Sequence, residues 1–157
     1  MSDPHSSDEL RERNEATVER YFLTGARDRA RRHLLYTDDG STSLFFTDIG
    51  EPITVRGRDN LAKHGELSLK VLPDWRWIGL EIFSTQDPGR FWAECDGEGT
   101  IRFPGYPEGR YRNHFLFSFR LSDGRIAESR EYTNPIEHMR ALGIATPRIE
   151  RGWIPAE

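Results

Sequence analysis

The run Gly124-Arg125-Ile126-Ala127-Glu128-Ser129-Arg130-Glu131-Tyr132-Thr133-Asn134-Pro135 carries the residue best suited to moving a proton. It begins in a turn and ends at a helix start. Strand alternation puts Glu131 on one face with Ala127, Ser129 and Thr133. Those neighbours are small, so the face cannot fill a core by itself, and one carboxylate among small residues suits the wall of a ligand cavity. Glu128 and Arg130 are charged too, so the same segment also reads as an exposed surface strand.

His64 is the second candidate. It shares a helical stripe with Leu61, Ser68 and Val71 or Leu72, spaced i, i+3, i+7 and i+10 or i+11, which turns its imidazole inward. An inward histidine is also a common hydrogen-bonded core residue. A carboxylic acid in an apolar cavity loses hydration when it ionises, so its pKa rises and it can donate a proton near neutral pH. Imidazole, which titrates near 6.5, could relay or stabilise charge beside it. Glu131, His64 and Ser68 would together make a general acid/base site that needs no metal.

Other chemistry has less support. His114 and Asp96 lack the HxH or HExxH spacing of a metal centre, so neither a metal nor another cofactor is expected. No Gly-x-Ser-x-Gly elbow accompanies a serine nucleophile. Gly97-Glu98-Gly99 lies within a strand run rather than in a phosphate-cradling loop. Trp75 and Trp77 share one strand face, where core packing is their ordinary role and an aromatic wall for a planar ring is the alternative.

The elements that must position these groups follow from patterning. Residues 1–7 read as a disordered lead. Ser6 and Glu9 resemble a capping box, opening a helix from about Asp8 to Leu23 with Leu10, Val18, Tyr21 and Phe22 inward. A second, short helix covers about Ala26 to Tyr36, followed by a turn at Thr37-Asp38-Asp39-Gly40 and a short strand from Leu44. A helix over Arg58 to Leu72 stops at Pro73. Four strand-like runs follow, at 75–85, 90–103, 110–121 and 125–133, joined by turn sequences. Asn134 and Pro135 then open a closing helix, with Gly143 just past its end. The expected fold is one α+β domain over residues 1–157: a curved, cone-shaped antiparallel sheet bending at Gly79, Gly97 and Gly99, covered by the N-terminal helices.

The composition excludes several classes. The net charge is −4, and the four arginines between Arg27 and Arg32 are interrupted by Asp28, so no nucleic-acid footprint appears. The single cysteine, Cys95, excludes an internal disulfide and a Cys-based zinc site. No apolar run approaches a membrane span and no secretion signal is evident, so a soluble, cytoplasmic protein is expected.

Six segments carry a resemblance to a known family. They are Thr47-Asp48-Ile49-Gly50-Glu51-Pro52, Gly57-Arg58-Asp59-Asn60-Leu61-Ala62-Lys63-His64, Glu94-Cys95-Asp96-Gly97, Phe103-Pro104-Gly105-Tyr106-Pro107-Glu108-Gly109, Tyr111-Arg112-Asn113-His114-Phe115, and Arg130-Glu131-Tyr132-Thr133-Asn134-Pro135. On these the chain resembles the phenazine biosynthesis A/B proteins over about Glu9 to Pro155. That family has the cone-shaped fold of nuclear transport factor 2, ketosteroid isomerase and scytalone dehydratase. The resemblance implies condensation of two molecules of 6-amino-5-oxocyclohex-2-ene-1-carboxylic acid, each amine attacking the other's ketone with loss of water. It implies Glu131 and His64 as the acid/base pair. It implies Arg32, or else Arg31, reaching across a homodimer to a substrate carboxylate, with Ser68 and Tyr111 lining the cavity. Retention of the acidic residue matches the B-type members. The chain departs from the family at Phe45-Phe46-Thr47-Asp48, Phe117 and Tyr132-Thr133. An isomerase or dehydratase of the same fold, and a non-catalytic small-molecule-binding module, are the alternatives. The homodimer is expected to form through the outer face of the sheet, because aromatic residues at alternating positions leave both faces partly apolar.

Overall fold

A computed structural model describes residues 4–157. Helix α1 (Pro4–Tyr21) and the short α2 (Ala26–Ala30) are followed by a 3-10 turn (Arg32–Leu35). Strands β1 (Tyr36–Leu44) and β2 (Ile53–Arg56) precede helix α3 (Arg58–Val71). Strands β3 (Arg76–Ser84), β4 (Arg90–Ile101), β5 (Gly109–Ser122) and β6 (Arg125–Thr133) form the expected meander, and α4 (Pro135–Ala141) closes the chain. One six-stranded sheet results, in the order β2-β1-β6-β5-β4-β3. Every pairing is antiparallel except β1 with β6, which is parallel.

Several boundaries differ from the sequence reading. Of the disordered lead, residues 1–3 lie outside the described residues, whereas 4–7 already belong to α1, so Ser6 sits inside the helix instead of capping it. The expected second helix stops at Ala30 because the chain tightens into the 3-10 turn and then extends. Thr37-Asp38-Asp39-Gly40 is strand, not turn. The register of β1 against β6 slips between Tyr36 and Ser41, and this bulge accommodates the turn-like composition. At Gly40 an added Cβ would meet the Ile126 carbonyl oxygen at 2.9 Å and the Tyr36 ring at 3.0 Å, so the bulge requires glycine. Strand β2, an exposed edge pairing only with β1, was not anticipated.

Gly79 does mark a bend: its φ is +64°, and the β3–β4 register shifts between Ile78 and Glu81. Gly97 and Gly99 keep unbroken register with β5 and instead make room for tryptophan. A Cβ on Gly97 would lie 2.2 Å from Trp75 and 2.8 Å from Trp77.

The inner face of the sheet carries Phe91, Ala93, Cys95, Tyr111, Phe115, Phe117 and Phe119, all buried. The rings of Tyr21 at the end of α1 and Phe22 just after it meet Phe117 and Phe119 edge-on at 5.0–5.9 Å, and Trp75 and Trp77 complete the core as aromatic packing. Helix α1 is also pinned by polar side chains. Asn14 donates to the Pro88 carbonyl at 2.8 Å and accepts from the Gly124 amide at 2.7 Å, while Thr17 donates to the Gly124 carbonyl at 2.7 Å.

The outer face is charged rather than apolar, which corrects the sequence argument for it. Residues facing outward on β4 and β5 form a cross-strand lattice: His114 lies 2.7 Å from Asp96 and 2.8 Å from Glu94, Arg112 donates to Asp96 at 2.9 Å, and Arg76 to Glu98 at 2.9 Å. The aromatic residues expected there mostly point inward, leaving Leu116, Leu80 and Phe83 as exposed apolar groups among the charges and along the sheet's edge strand β3. Among the described residues, no helix is long and apolar enough to cross a membrane.

Candidate active site

Helix α3 delivers two of the expected residues. His64 and Ser68 lie one turn apart, and both face a recess between α3, the 3-10 turn, α1 and β1. The recess is lined by Tyr21, Arg32, His33, Tyr36, Thr42, Leu61, His64, Gly65 and Ser68, and its cavity volume is about 30 Å³, a narrow space beside these polar groups. Burial, and then the nearby Arg32 charge, hold the His64 imidazole below its ordinary pKa. It is therefore neutral at pH 7 and available as a base. The Ser68 hydroxyl donates to the Gly65 carbonyl at 2.8 Å.

A residue that patterning missed fixes this wall. Arg29 is only 3% exposed, and its guanidinium donates to the carbonyls of Leu72 at 2.7 Å and Ser68 at 2.6 Å. It thereby satisfies the last carbonyls of α3. Gly65 permits the approach, since a Cβ there would stand 3.0 Å from the Arg29 carbonyl oxygen. Arg29 thus joins the segment bearing Arg32 to the helix bearing His64. An arginine in a polar run gives no signal that its side chain folds inward.

Arg32 lines the recess, whereas Arg31 is exposed. The Arg32 guanidinium lies 4.6 Å from the centre of the Tyr21 ring and donates to the Leu23 carbonyl at 3.3 Å. It reaches the recess of its own chain.

Glu131 is on the inner face of β6, paired in register with Phe117 on β5 and Leu44 on β1. It does not line the recess itself. Burial is the main cause of the rise of its carboxyl pKa from 4.5 to about 7, and Arg32 opposes that rise. The carboxyl keeps some accessible surface, yet among the described residues no side chain hydrogen-bonds it, so protein does not replace the lost hydration. Arg32 is the charge that both Glu131 and His64 feel.

Tyr111 is nearly fully buried further along the inner face. Its ring lies 5.4 Å from both Trp75 and His138, and its hydroxyl accepts from Asn113 at 3.0 Å. The structure therefore brings His64, Ser68 and Arg32 together at one recess, sets Glu131 beside it within reach of Arg32's charge, and seats Tyr111 in the adjoining core. His114 and Asp96 are on the opposite face, bonded to each other, and among the described residues no group of three or more His, Cys, Asp or Glu side chains is arranged to hold a metal ion.

Comparison with known proteins agrees with this architecture. A family model described as phenazine biosynthesis protein A/B matches residues 4–156. Phenazine biosynthesis protein PhzB1 of Pseudomonas aeruginosa is 54% identical over 149 residues, covering 95% of this chain and 92% of that protein. PhzA of Pseudomonas fluorescens is 48% identical over 148 residues, covering 94% and 91%. The crystal structure of a phenazine biosynthesis-related protein, PhzB2 of Pseudomonas aeruginosa, superposes with a TM-score of 0.93 at 51% identity, covering 97% of this chain and 99% of that one. A SnoaL-like polyketide cyclase from Jannaschia has the same fold, with a TM-score of 0.68 at 20% identity. With residues 4–156 matched, the chain belongs to the phenazine biosynthesis protein A/B family.

Proposed function

We propose that this protein acts in phenazine biosynthesis as a cofactor-free condensing enzyme, joining two molecules of an amino-oxocyclohexene carboxylic acid through carbon–nitrogen bonds. The observation that carries the reading is the state of the acid/base groups. Glu131 is held protonated up to about pH 7, while burial and Arg32 keep His64 neutral. An uncharged acid and an uncharged base on the same inner side of the sheet suit a reaction that moves protons from an amine nitrogen to a ketone oxygen. Glu131 donates to the carbinolamine hydroxyl so that it departs as water, and His64 takes the proton from nitrogen. A positioned acid of this kind contributes about 10²–10⁴-fold. Arg32 supplies a guanidinium for the substrate carboxylate, Ser68 a hydroxyl at the recess wall, and Tyr111 an aromatic wall above Trp75. Holding both molecules in one site adds proximity and limits side reactions of an unstable amino-ketone.

The B-type assignment is supported by the retained Glu131 and by 52–54% identity to PhzB proteins, against 45–48% to PhzA proteins. A homodimer is part of the proposal, with the charged lattice and the exposed Leu80, Phe83 and Leu116 as the paired surface. Arg32 lines its own chain's recess, so the site does not need a trans arginine for its positive charge.

The test supplies the purified protein with the amino-ketone and, separately, with a cyclic enone and a β-hydroxy ketone. Faster loss of the amino-ketone and a tricyclic product are expected, with no turnover of the other two. Isomerisation or dehydration of those two without condensation would replace this reading, and inertness toward all three would leave a binding module.

A further inference from the structure

His33 lines the same recess and takes no part in the proton transfers described above. It sits in the 3-10 turn, where its carbonyl accepts from the Tyr36 amide, so its backbone is held. Its Nδ1 is buried without a hydrogen-bond partner. Its Nε2, at the other edge of the ring, is not sealed off in this way and has no partner among the described residues. A buried N–H without an acceptor is rarer and costlier than a buried lone pair. In the neutral ring the hydrogen therefore belongs on Nε2, the nitrogen left open. His33 thus offers the recess one N–H donor on a fixed backbone.

Other polar groups on this wall are already engaged. The Ser68 hydroxyl donates to the Gly65 carbonyl at 2.8 Å, and Tyr36 and Thr42 are tied to Ser129 at 2.7 and 2.9 Å. Arg32 donates to the Leu23 carbonyl at 3.3 Å, which leaves the rest of its guanidinium fork free. Arg32 and His33 are neighbours in sequence, one charged donor and one neutral donor beside a single recess. Such a pair suits an anion with more than one oxygen. The cavity volume of about 30 Å³ fits that ligand. A water-sized group needs roughly 10–15 Å³, so the recess takes the oxygens of one carboxylate and is too small for a six-membered ring.

We propose that His33 donates its Nε2 hydrogen to the ring carboxylate of the substrate, which enters the recess between His33 and Arg32 while the ring stays outside. The identity of that carboxylate rests on the condensation reading. In the amino-ketone the amine is borne on the carbon next to the one that carries the carboxylate, and the ketone is the next carbon beyond. Seating the carboxylate in the recess therefore brings the amine nearest His64, which lines the same recess. The ketone is left further out, toward Glu131 beside the recess. His33 and Arg32 so decide which end of the molecule meets the base and which meets the acid. No covalent bond to His33 is made or broken.

Calorimetry tests the subsite without turnover. The probes are 2-aminobenzoate, a stable ring with amine and carboxylate on adjacent carbons, and 2-aminobenzamide, its uncharged counterpart. Wild type should prefer the carboxylate. His33→Phe should weaken the carboxylate about tenfold or more and the carboxamide by less than about threefold. His33→Gln, whose amide N–H extends about as far as Nε2, should stay within about threefold of wild type, whereas His33→Asn, which reproduces the Nδ1 position, should bind as weakly as His33→Phe. The glutamine and asparagine variants decide the matter should His33→Phe not fold. With the amino-ketone generated in situ, KM of His33→Phe should rise about tenfold or more and kcat stay within about threefold. Wild-type carboxylate affinity in folded His33→Phe, recovery by asparagine in place of glutamine, no preference for the carboxylate in wild type, or a fall in kcat at unchanged KM would each overturn the assignment. A wild type that shows the predicted binding pattern but consumes the amino-ketone no faster than a protein-free blank would instead overturn the condensation reading and leave the carboxylate subsite standing.

Discussion

Glu131→Gln should change how stability depends on pH, and the size of the change follows from the site. Burial lifts the carboxyl from 4.5 to about 7. At about 1.36 kcal/mol for each pKa unit, ionised Glu131 costs the folded state up to about 3 kcal/mol relative to the protonated form. The folded pKa lies above the unfolded one. The favourable contribution is therefore fully present below pH 4.5 and is lost as pH rises through about 7. Glutamine is neutral throughout and loses nothing over that window. Urea unfolding of both proteins at one concentration, at pH 4.5, 6, 7 and 8.5, isolates the effect, because the other titrating groups are common to both. The variant should gain on wild type by up to about 3 kcal/mol between the lowest and highest pH. A difference that is flat across this range would show that Glu131 ionises without penalty and would refute the buried-acid reasoning.

Arg32→Met removes the charge that lowers both Glu131 and His64, so both should titrate higher and the bell-shaped pH–rate profile should move to the alkaline side; an unmoved profile would count against Arg32 as the common charge. Gly97→Ala puts a Cβ 2.2 Å from Trp75, whose ring is packed against Trp77, Tyr111 and Phe115, and should lower stability by about 1–3 kcal/mol in urea unfolding. Light scattering at micromolar concentration should give a dimer mass that falls with added salt, because the proposed surface is a charge lattice; a monomer at low salt would remove the outer face as an interface.

The meander, α3, β6 and α4 were legible because each repeats a period between clear breakers. The Asn134 cap, which accepts from the Ile136 amide at 2.9 Å, is the clearest instance. The inward placing of His64 followed from the same helical period, whereas alternation alone left Glu131 between a cavity wall and an exposed surface strand. What patterning could not show depends on contacts distant in sequence. Strand β1 looks like a turn because its bulge against β6 tolerates Asp38, Asp39 and Gly40, and that parallel pairing joins residues nearly ninety apart. Strand β2 is four residues at an edge, too short to display alternation. Arg29 reads as a surface charge until the carbonyls of α3 are seen to need a donor. Alternation by itself does not say which side the aromatic residues take; the β5 phenylalanines all point inward and Arg110, Arg112, His114 and Arg120 point out, which makes the outer face charged.

The role of Glu131 is tested most directly by the initial rate of amino-ketone consumption at pH 6, where its carboxyl is mostly protonated, for wild type and Glu131→Gln against a protein-free blank. The account predicts a tricyclic product from wild type and a loss of about 10²-fold or more in the variant, with the fold retained. Equal rates for the two proteins, both above the blank, would contradict it.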